Sequence, residues 1–206
     1  MFDDTIKSLE QRLRPLGFQP RGTGRFVFDL RPGCVGILQL FRASYPPEGF
    51  EINPIIEVRH VEIQRLIEEC LGGVPNSKWV PTIRTNVGYL TPERRFLGWN
   101  FKVGDESGLT SDNLIDVIAK YGVPFLTQHN SVDGIIEGIR AGYGGPTVDR
   151  VLRIAAAEWL LGRHQNALAV ITAEIQQRES SADGELDLLK RFAEGLNAKY
   201  SFPSSG

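Results

Sequence analysis

The clearest indication of the fold lies at residues 50–60, which read FEINPIIEVRH. Every second position is apolar over most of this stretch, at Phe50, Ile52, Ile56 and Val58. The positions between them are Glu51, Asn53, Ile55, Glu57 and Arg59. A period of two predicts a β-strand with one apolar face and one face toward solvent. We therefore expect the apolar set to be buried and Glu51, Asn53 and Glu57 to be exposed. Pro54 has no N–H to donate, which predicts an edge strand or a bulge.

Four further strands are predicted around this one. Residues 26–30 and 35–42 flank a turn at residues 31–33, a pattern typical of a β-hairpin. Residues 82–90 and 96–103 flank a second turn at residues 91–94. The links between these strands are of hairpin length, which favours an antiparallel sheet.

Helices are predicted on both sides of these strands and throughout the second half. Apolar residues recur at helical spacing at Ile6, Leu9, Leu13 and Leu16, and residues 61–71 form a helix that a glycine pair ends. Later helices are predicted at residues 110–121 and 131–141, each begun by Ser or Thr and ended by glycine. Three more helices follow in residues 147–200.

The predicted fold class is α+β: an antiparallel sheet of about five strands with helices on one face, followed by a helical C-terminal half. We expect the sheet domain in residues 1–104 and a helical extension packed on it in residues 105–142. A three-helix segment is expected in residues 147–200 and a disordered tail in residues 201–206. The loop GYGGP, at residues 142–146, marks the boundary within the second half.

Composition limits the classes of function. The chain has 206 residues, 41% of them hydrophobic and 23% charged, which is ordinary for a globular protein. Residues 1–103 hold 14 Lys and Arg against 11 Asp and Glu, a net charge of +3, whereas the remainder has −5. This asymmetry falls short of a nucleic-acid-binding footprint, so no nucleic-acid partner is predicted. No signal peptide or apolar run of membrane-spanning length is visible, which predicts a cytoplasmic protein without a membrane partner.

Known catalytic and metal-binding motifs do not account for this sequence. The histidines, His60, His129 and His164, have no metal-ligand spacing, and Cys34 and Cys70 form no CxxC pair. The segment RGTGRF contains GxG, but it precedes a strand and not a helix, so its glycines are assigned to a turn. We therefore predict neither a metal nor a cofactor. The two cysteines are interpreted as small buried hydrophobic residues.

A candidate binding cluster is formed by Arg59, His60, Arg84, Asn86 and Tyr89. Arg59 lies on the polar face of the first strand, and alternation in TIRTNVGYL places Arg84 and Asn86 on one face of a later strand. Such a cluster could bind a carboxylate or an acidic partner through bidentate hydrogen bonds. Alternatively, the arginines pair with Glu51 and Glu57 across strands, and His60 is a buried structural histidine.

Two resemblances to known families are visible. Residues 155–175, AAAEWLLGRHQNALAVITAEI, resemble the helix–turn–helix centre of a tetratricopeptide repeat. Only one such unit is present, and a solenoid needs at least three, which favours a plain helical hairpin. The segments LRPLGFQPRGTGRFVF, FEINPIIEVRHVE and YGVPFL are similar to a family of uncharacterised bacterial proteins known only as a domain of unknown function. This resemblance covers about the first 140 residues; it implies a fold and brings no catalytic residues.

Two functional hypotheses follow. The first is a non-catalytic protein-interaction module, analogous to an immunity protein, whose partner is another protein. The second is an enzyme or small-anion-binding protein with a site between the sheet and the C-terminal helices. The absence of catalytic motifs favours the first hypothesis.

Overall fold

The computed structural model describes residues 2–45, 49–73, 80–102, 108–179 and 184–201. Its architecture confirms the predicted α+β class, an antiparallel sheet followed by a helical C-terminal half. The strands are β1 Phe18–Pro20, β2 Arg25–Asp29, β3 Cys34–Tyr45, β4 Gly49–His60, β5 Ile83–Asn86 and β6 Trp99–Lys102. The helices are α1 Phe2–Leu13, α2 Val61–Cys70, α3 Leu109–Val117, α4 Val123–Gln128, α5 Val132–Gly138, α6 Thr147–Leu160, α7 His164–Arg178 and α8 Gly184–Ser201.

The strand β4 occupies the interior of the sheet. The strand order is β1-β2-β3-β4-β5, and β6 also pairs with β4, so β4 has neighbours along both edges. The predicted hairpin is confirmed by the antiparallel register of β2 and β3, in which Phe26 lies opposite Leu38. Of the two interpretations of Pro54, an edge strand is wrong for β4, whereas a bulge at the proline stays a prediction. The strand β6 pairs only with Gly49–Ile52, so its ladder ends before the proline is reached.

Two compact units divide the chain, and each gathers segments that are distant in sequence. The first comprises Met1–Val58 and Arg84–Asn130, and the second comprises Arg59–Ile83 and Ser131–Gly206. These boundaries differ from the segments 1–104, 105–142 and 147–200 suggested by the sequence. Residues 202–206 of the predicted tail lie outside the described residues, and Ser201 is the last residue of α8.

The first unit is built on the apolar face of β4. As predicted, Phe50, Ile52, Ile56 and Val58 are all buried. The ring of Phe50 is stacked on Phe101, with centroids 5.3 Å apart, and meets the edge of Phe2 from α1. Burying each such side chain stabilises the fold by about 1.5–3 kcal/mol, so this face supplies much of the unit's stability.

A π-helical turn, Ile118–Gly122, joins α3 to α4. The prediction that Gly122 ends a helix is therefore wrong. Gly122 has ordinary helical angles, φ −70° and ψ −48°, and a Cβ there would lie 3.5 Å from Ile56 Cδ1. Gly122 therefore continues the helix beside β4, with room for a Cβ in ordinary contact, and does not form a left-handed helix end. The residue that precedes α3 is Gly108, not the predicted Thr110 or Ser111.

The second unit is helical. The predicted hairpin of α6 and α7 is confirmed: Gly162 turns the chain with φ 74°, and Ala167 is fully buried where the two helices meet. Ser131 caps α5 as predicted, because its side chain accepts a hydrogen bond from the Gly134 amide. The helix α8 packs against α2 and α7.

The closest approach of α8 to α2 occurs at Gly195, where a Cβ would lie 2.6 Å from the Cys70 carbonyl oxygen. We expect Gly195→Ala to destabilise the protein by about 1–3 kcal/mol through overpacking, although alanine is the better helix former. Gly184→Ala, in the same helix with no atom within 4 Å of the added Cβ, is the matched control and should change stability by less than about 1 kcal/mol. Urea unfolding of both variants measures the difference. Equal stability of the two would mean that α8 does not approach α2 as described.

Candidate interaction surface

The structure separates the five candidate residues between the two units. Arg59 and His60 belong to the second unit, and Arg84, Asn86 and Tyr89 belong to the first. Each group has its own surroundings and is described by itself.

His60 is a buried residue that begins α2. Its backbone amide donates to Thr82 Oγ1 at 2.8 Å, and its Nδ1 accepts a hydrogen bond from the Ile63 amide at 3.4 Å. The side-chain amide of Gln64 donates to the same Thr82 hydroxyl. Burial lowers the pKa of His60, and the nearby Glu62 charge opposes this effect. The neutral imidazole is also the form that can accept from Ile63, so burial and capping favour the same protonation state.

Arg59 is partly buried beside this helix. Burial lowers the pKa of its guanidinium, and the charge of Glu68 opposes the shift. Its Nη1 is one of two buried side-chain atoms, within the described part of the chain, that have no hydrogen-bond partner. Arg59 is therefore not held through that nitrogen by an internal carboxylate.

The role of His60 leads to a pH prediction. Because the folded protein holds His60 neutral while the unfolded chain binds a proton below the ordinary pKa of 6.5, stability should fall as pH decreases from that value toward the lowered folded pKa. The substitution His60→Asn keeps a side-chain acceptor at the cap and removes the titration. We expect urea midpoints of the wild type to fall more steeply than those of the variant below pH 6.5. Parallel pH profiles would contradict a neutral His60 cap.

Arg84 lies on an exposed position of β5, near the carboxylate of Glu57. Glu57 is only 1% exposed, so the prediction that it faces solvent is wrong. Its Oε2 accepts a hydrogen bond from Gln39 Nε2 at 2.8 Å, and Gln39 Oε1 accepts one from Arg25 Nη2 at 3.2 Å. These polar side chains bridge β2, β3 and β4, which removes the carboxylate from water although it lies on the polar face.

The pKa of Glu57 is raised because burial outweighs the favourable surroundings. The Gln39 hydrogen bond lowers it most, followed by the charges of Arg84 and then Arg25. The charge of Arg84 therefore acts on the buried Glu57 carboxylate, and the pairing of the two side chains across strands stays a prediction.

Asn86 is 4% exposed, and the prediction that it shares a solvent-facing surface with Arg84 is wrong. Its side chain holds together both ends of a loop at Val87–Gly98, which we call the aromatic loop. Asn86 Oδ1 accepts from the amides of Gly88, at 2.8 Å, and Leu97, at 3.0 Å. Its Nδ2 donates to the Leu97 carbonyl oxygen at 3.0 Å. Three hydrogen bonds from one side chain make Asn86 a positioning residue for the whole loop.

Two glycines hold the aromatic loop close to its surroundings. A Cβ at Gly88 would overlap the Arg95 carbonyl oxygen, and one at Gly98 would overlap the carboxyl group of Glu51. The aromatic loop begins with a 3-10 turn, Val87–Leu90. The Thr91 hydroxyl, just after this turn, donates a hydrogen bond to the Gly88 carbonyl oxygen. The predicted strands 82–90 and 96–103 are therefore shorter than expected, and Val103 lies outside the described residues.

The aromatic loop presents large side chains to solvent. Tyr89 is 47% exposed and Phe96 is 51% exposed. Gly88 packs against Leu97, and Tyr89 and Phe96 are the chain neighbours of these two residues. The two rings are therefore attached to adjacent parts of the loop. Sequence alternation placed Tyr89 on a face with Ile83, but the 3-10 turn breaks the alternation and turns its ring outward.

A surface pocket of about 400 Å³ adjoins the loop. Its lining includes Leu97, Trp99 and Leu109, the last of which is 69% exposed at the start of α3. The Trp99 indole donates to Asn113 Oδ1 at 2.8 Å, which links β6 to α3 on the pocket wall. The lining also includes the polar residues Asn100, Thr110 and Asn113.

The surface around the loop carries positive charge. Arg94 and Arg95 are exposed at its tip, and the π-helical turn that contains Lys120 packs against the Val87–Leu90 turn. Against these three cations stands Glu93, whose pKa is lowered first by the Thr91 hydroxyl and then by nearby backbone and cationic groups. Within the predicted strand 96–103, Trp99 is buried, whereas Leu97 and Phe101 are only partly buried.

The described ranges contain neither a metal-binding group of side chains nor a membrane-spanning helix. No group of three or more His, Cys, Asp or Glu residues there is placed to hold a metal ion. In the same residues, no helix is long and apolar enough to cross a membrane. Cys34 and Cys70 are buried and free, as the sequence predicted, and burial raises the pKa of the Cys70 thiol to about 11. Comparison with protein-family models, curated proteins and solved structures finds no match to this chain.

The position of the aromatic loop depends on Asn86. We expect Asn86→Ala to lower the free energy of unfolding by about 2–3 kcal/mol, because it leaves two amides and a carbonyl group without partners. Asn100→Ala, at an exposed position of β6, is the matched control and should have little effect. Urea unfolding gives the stability change, and hydrogen exchange of the Gly88 and Leu97 amides should accelerate only in Asn86→Ala. Unchanged exchange at Leu97 would show that Asn86 does not hold the loop.

Proposed function

We propose that this protein is a non-catalytic protein-interaction module that binds an acidic segment of another protein through the aromatic loop and the adjoining pocket. The observation that carries the proposal is the exposure of Tyr89 and Phe96 on a loop that Asn86 holds in place. A loop already fixed in one conformation loses little conformational entropy on binding, which favours affinity.

The composition of this surface resembles that of binding hot spots. Tyrosine, tryptophan and arginine are the residues most enriched where alanine substitution weakens protein complexes, and aromatic residues are enriched at interfaces generally. The aromatic loop supplies Tyr89, Phe96, Arg94 and Arg95 within eight consecutive positions. An exposed Leu109 and the pocket beside it extend the apolar part of the surface.

The charge of the surface determines the chemistry of the partner. Three cations, Arg94, Arg95 and Lys120, stand against two carboxylates, Glu93 and Glu51, around the loop, so the excess of positive charge favours an acidic segment. The pocket lined by Leu97, Trp99 and Leu109 suits an apolar side chain within that segment. The inferred recognition element is an apolar anchor flanked by Asp or Glu.

We also infer a cytoplasmic location. Both cysteines are free and buried, which suits a reducing compartment.

The test begins with a photo-crosslinking amino acid in place of Phe96, used in cells of the source organism. The crosslinked protein is identified, purified and titrated against the wild type and variants. We expect Tyr89→Ala and Phe96→Ala each to weaken binding at least about tenfold, because truncation of a hot-spot aromatic costs about 2 kcal/mol or more. Phe41→Ala, at a half-exposed position of β3, is the matched control and should bind normally.

A second arm examines charge. Arg94→Gln combined with Arg95→Gln should weaken binding and flatten its dependence on salt, because exposed charges act through screened attraction. Circular dichroism and urea unfolding confirm that the variants remain folded. A partner that binds Tyr89→Ala, Phe96→Ala and the arginine double variant as tightly as the wild type would contradict the proposed surface.

A further inference from the structure

A second feature of the first unit is the turn Arg21–Arg25, which joins β1 to β2. The Arg21 amide donates to the Arg25 carbonyl oxygen at 2.8 Å, and the Arg25 amide donates to the Gly22 carbonyl oxygen at 3.3 Å. The second of these hydrogen bonds closes a four-residue turn, Gly22–Arg25. Gly24, at its third position, has φ 70°, as a type II turn requires. The Gly24 carbonyl oxygen in turn accepts from the Leu40 amide at 2.7 Å. The turn is therefore fixed to β3 as well as to its own ends.

The amides of the same turn point to a use beyond the turn itself. Within the described ranges, no acceptor is hydrogen-bonded to the backbone amides of Gly22, Thr23 or Gly24. Gly22 and Thr23 are exposed, and a Cβ built at Gly22 would meet no atom within 4 Å, so the approach is open on this side of the turn. Gly24 is buried, and a Cβ there would lie 2.9 Å from the Leu40 carbonyl oxygen. Successive free N–H groups in a turn form a concavity that attracts anions.

A pocket of about 360 Å³ lies at this turn. Its lining comprises residues 21–25 together with Gln39, Leu40 and Phe41. Arg25 is oriented by its hydrogen bond to Gln39, which is itself bonded to the buried Glu57. The volume lies near the lower end of the range of small-molecule sites, which is roughly 300–1,000 Å³.

The lining residues define the chemistry of a ligand. Guanidinium groups and free amides together suit a phosphate group, which accepts several charge-assisted hydrogen bonds at once. Phe41 is half-exposed on the same pocket and offers an apolar ring for stacking. We propose that the turn pocket binds a small phosphorylated compound with a flat ring, of the size of a nucleoside monophosphate. This site is separate from the aromatic loop and does not depend on the proposed protein partner.

The proposal is tested on the full chain by titration with adenosine monophosphate, inorganic phosphate and adenosine, followed by nuclear magnetic resonance. We expect saturable shifts of the Gly22 and Thr23 amides and of the Phe41 ring with adenosine monophosphate. Inorganic phosphate should move the amides but bind more weakly, and adenosine should bind more weakly still.

Two matched pairs of variants assign the contacts. Arg21→Gln should weaken binding of adenosine monophosphate roughly tenfold, as expected for a lost charge-assisted contact, whereas Arg31→Gln in the next turn should not. Thr23→Pro removes one amide at the turn position that proline favours, so the turn should persist while binding weakens. Thr23→Ala keeps the amide and should bind like the wild type.

Either of two results would overturn the site. The first is an absence of saturable shifts at the turn amides with adenosine monophosphate or phosphate at concentrations up to about 10 mM, beyond which affinity has no specific meaning. The second is equal affinity for phosphate and adenosine monophosphate, which would remove the role of Phe41. Normal binding by both Arg21→Gln and Thr23→Pro would likewise place the ligand elsewhere.

Discussion

The burial of one face of β4 is the constraint on which the first unit depends. Phe50, Ile52, Ile56 and Val58 are all buried, and β4 is paired on one side with β3 and on the other with β5 and β6. A shift of one residue in the register of β4 would exchange this apolar set for Glu51, Asn53 and Glu57, which no core could accept. The register of β6 follows from the same constraint, because Trp99 and Phe101 must lie opposite Ile52 and Phe50 to share their face. The position of β6, the strand that follows the aromatic loop, is therefore set by its pairing with β4.

The sequence was sufficient where one period decided the outcome. Alternation in β4 predicted its buried face correctly, and the helical spacing of residues 147–200 predicted α6, α7 and α8. It was insufficient where the outcome depended on a partner distant in the chain. Glu57 is buried because Gln39, 18 residues earlier, supplies a hydrogen bond to its carboxylate, and no local pattern indicates that pairing. Gly122 has ordinary helical angles and does not end its helix, and a glycine inside a helix has the same local sequence as one that ends a helix.

The candidate site shows the same limit. Alternation through TIRTNVGYL assumed a strand up to Leu90, whereas β5 ends at Asn86. An asparagine before a glycine two positions later is a known signal for a side-chain-closed turn, and this signal in Asn86-Val87-Gly88 could have revealed the end of the strand. The second partner of Asn86, Leu97, lies 11 residues away and could not have been inferred. Tyr89 is among the predicted binding residues, but Arg94 falls in the predicted turn at residues 91–94 and Phe96 in the predicted strand at residues 96–103, so their exposed loop is not predicted.

Short polar side chains make the same kind of junction in both units. His60 accepts from the amide of Ile63 where β4 gives way to α2, and Asn86 accepts from the amide of Gly88 where β5 gives way to a 3-10 turn. Each satisfies a backbone donor that a change of secondary structure would otherwise leave without a partner.

At Asn86 the junction also fixes the backbone of a loop that carries exposed aromatic side chains. Full burial of an aromatic side chain is worth about 1.5–3 kcal/mol, so half-exposed Tyr89 and Phe96 forgo roughly half of that each. The backbone that carries these rings is held by the three hydrogen bonds of Asn86 and by the close contacts of Gly88 and Gly98. The loop therefore presents its exposed aromatic side chains from a backbone that Asn86 fixes at both ends.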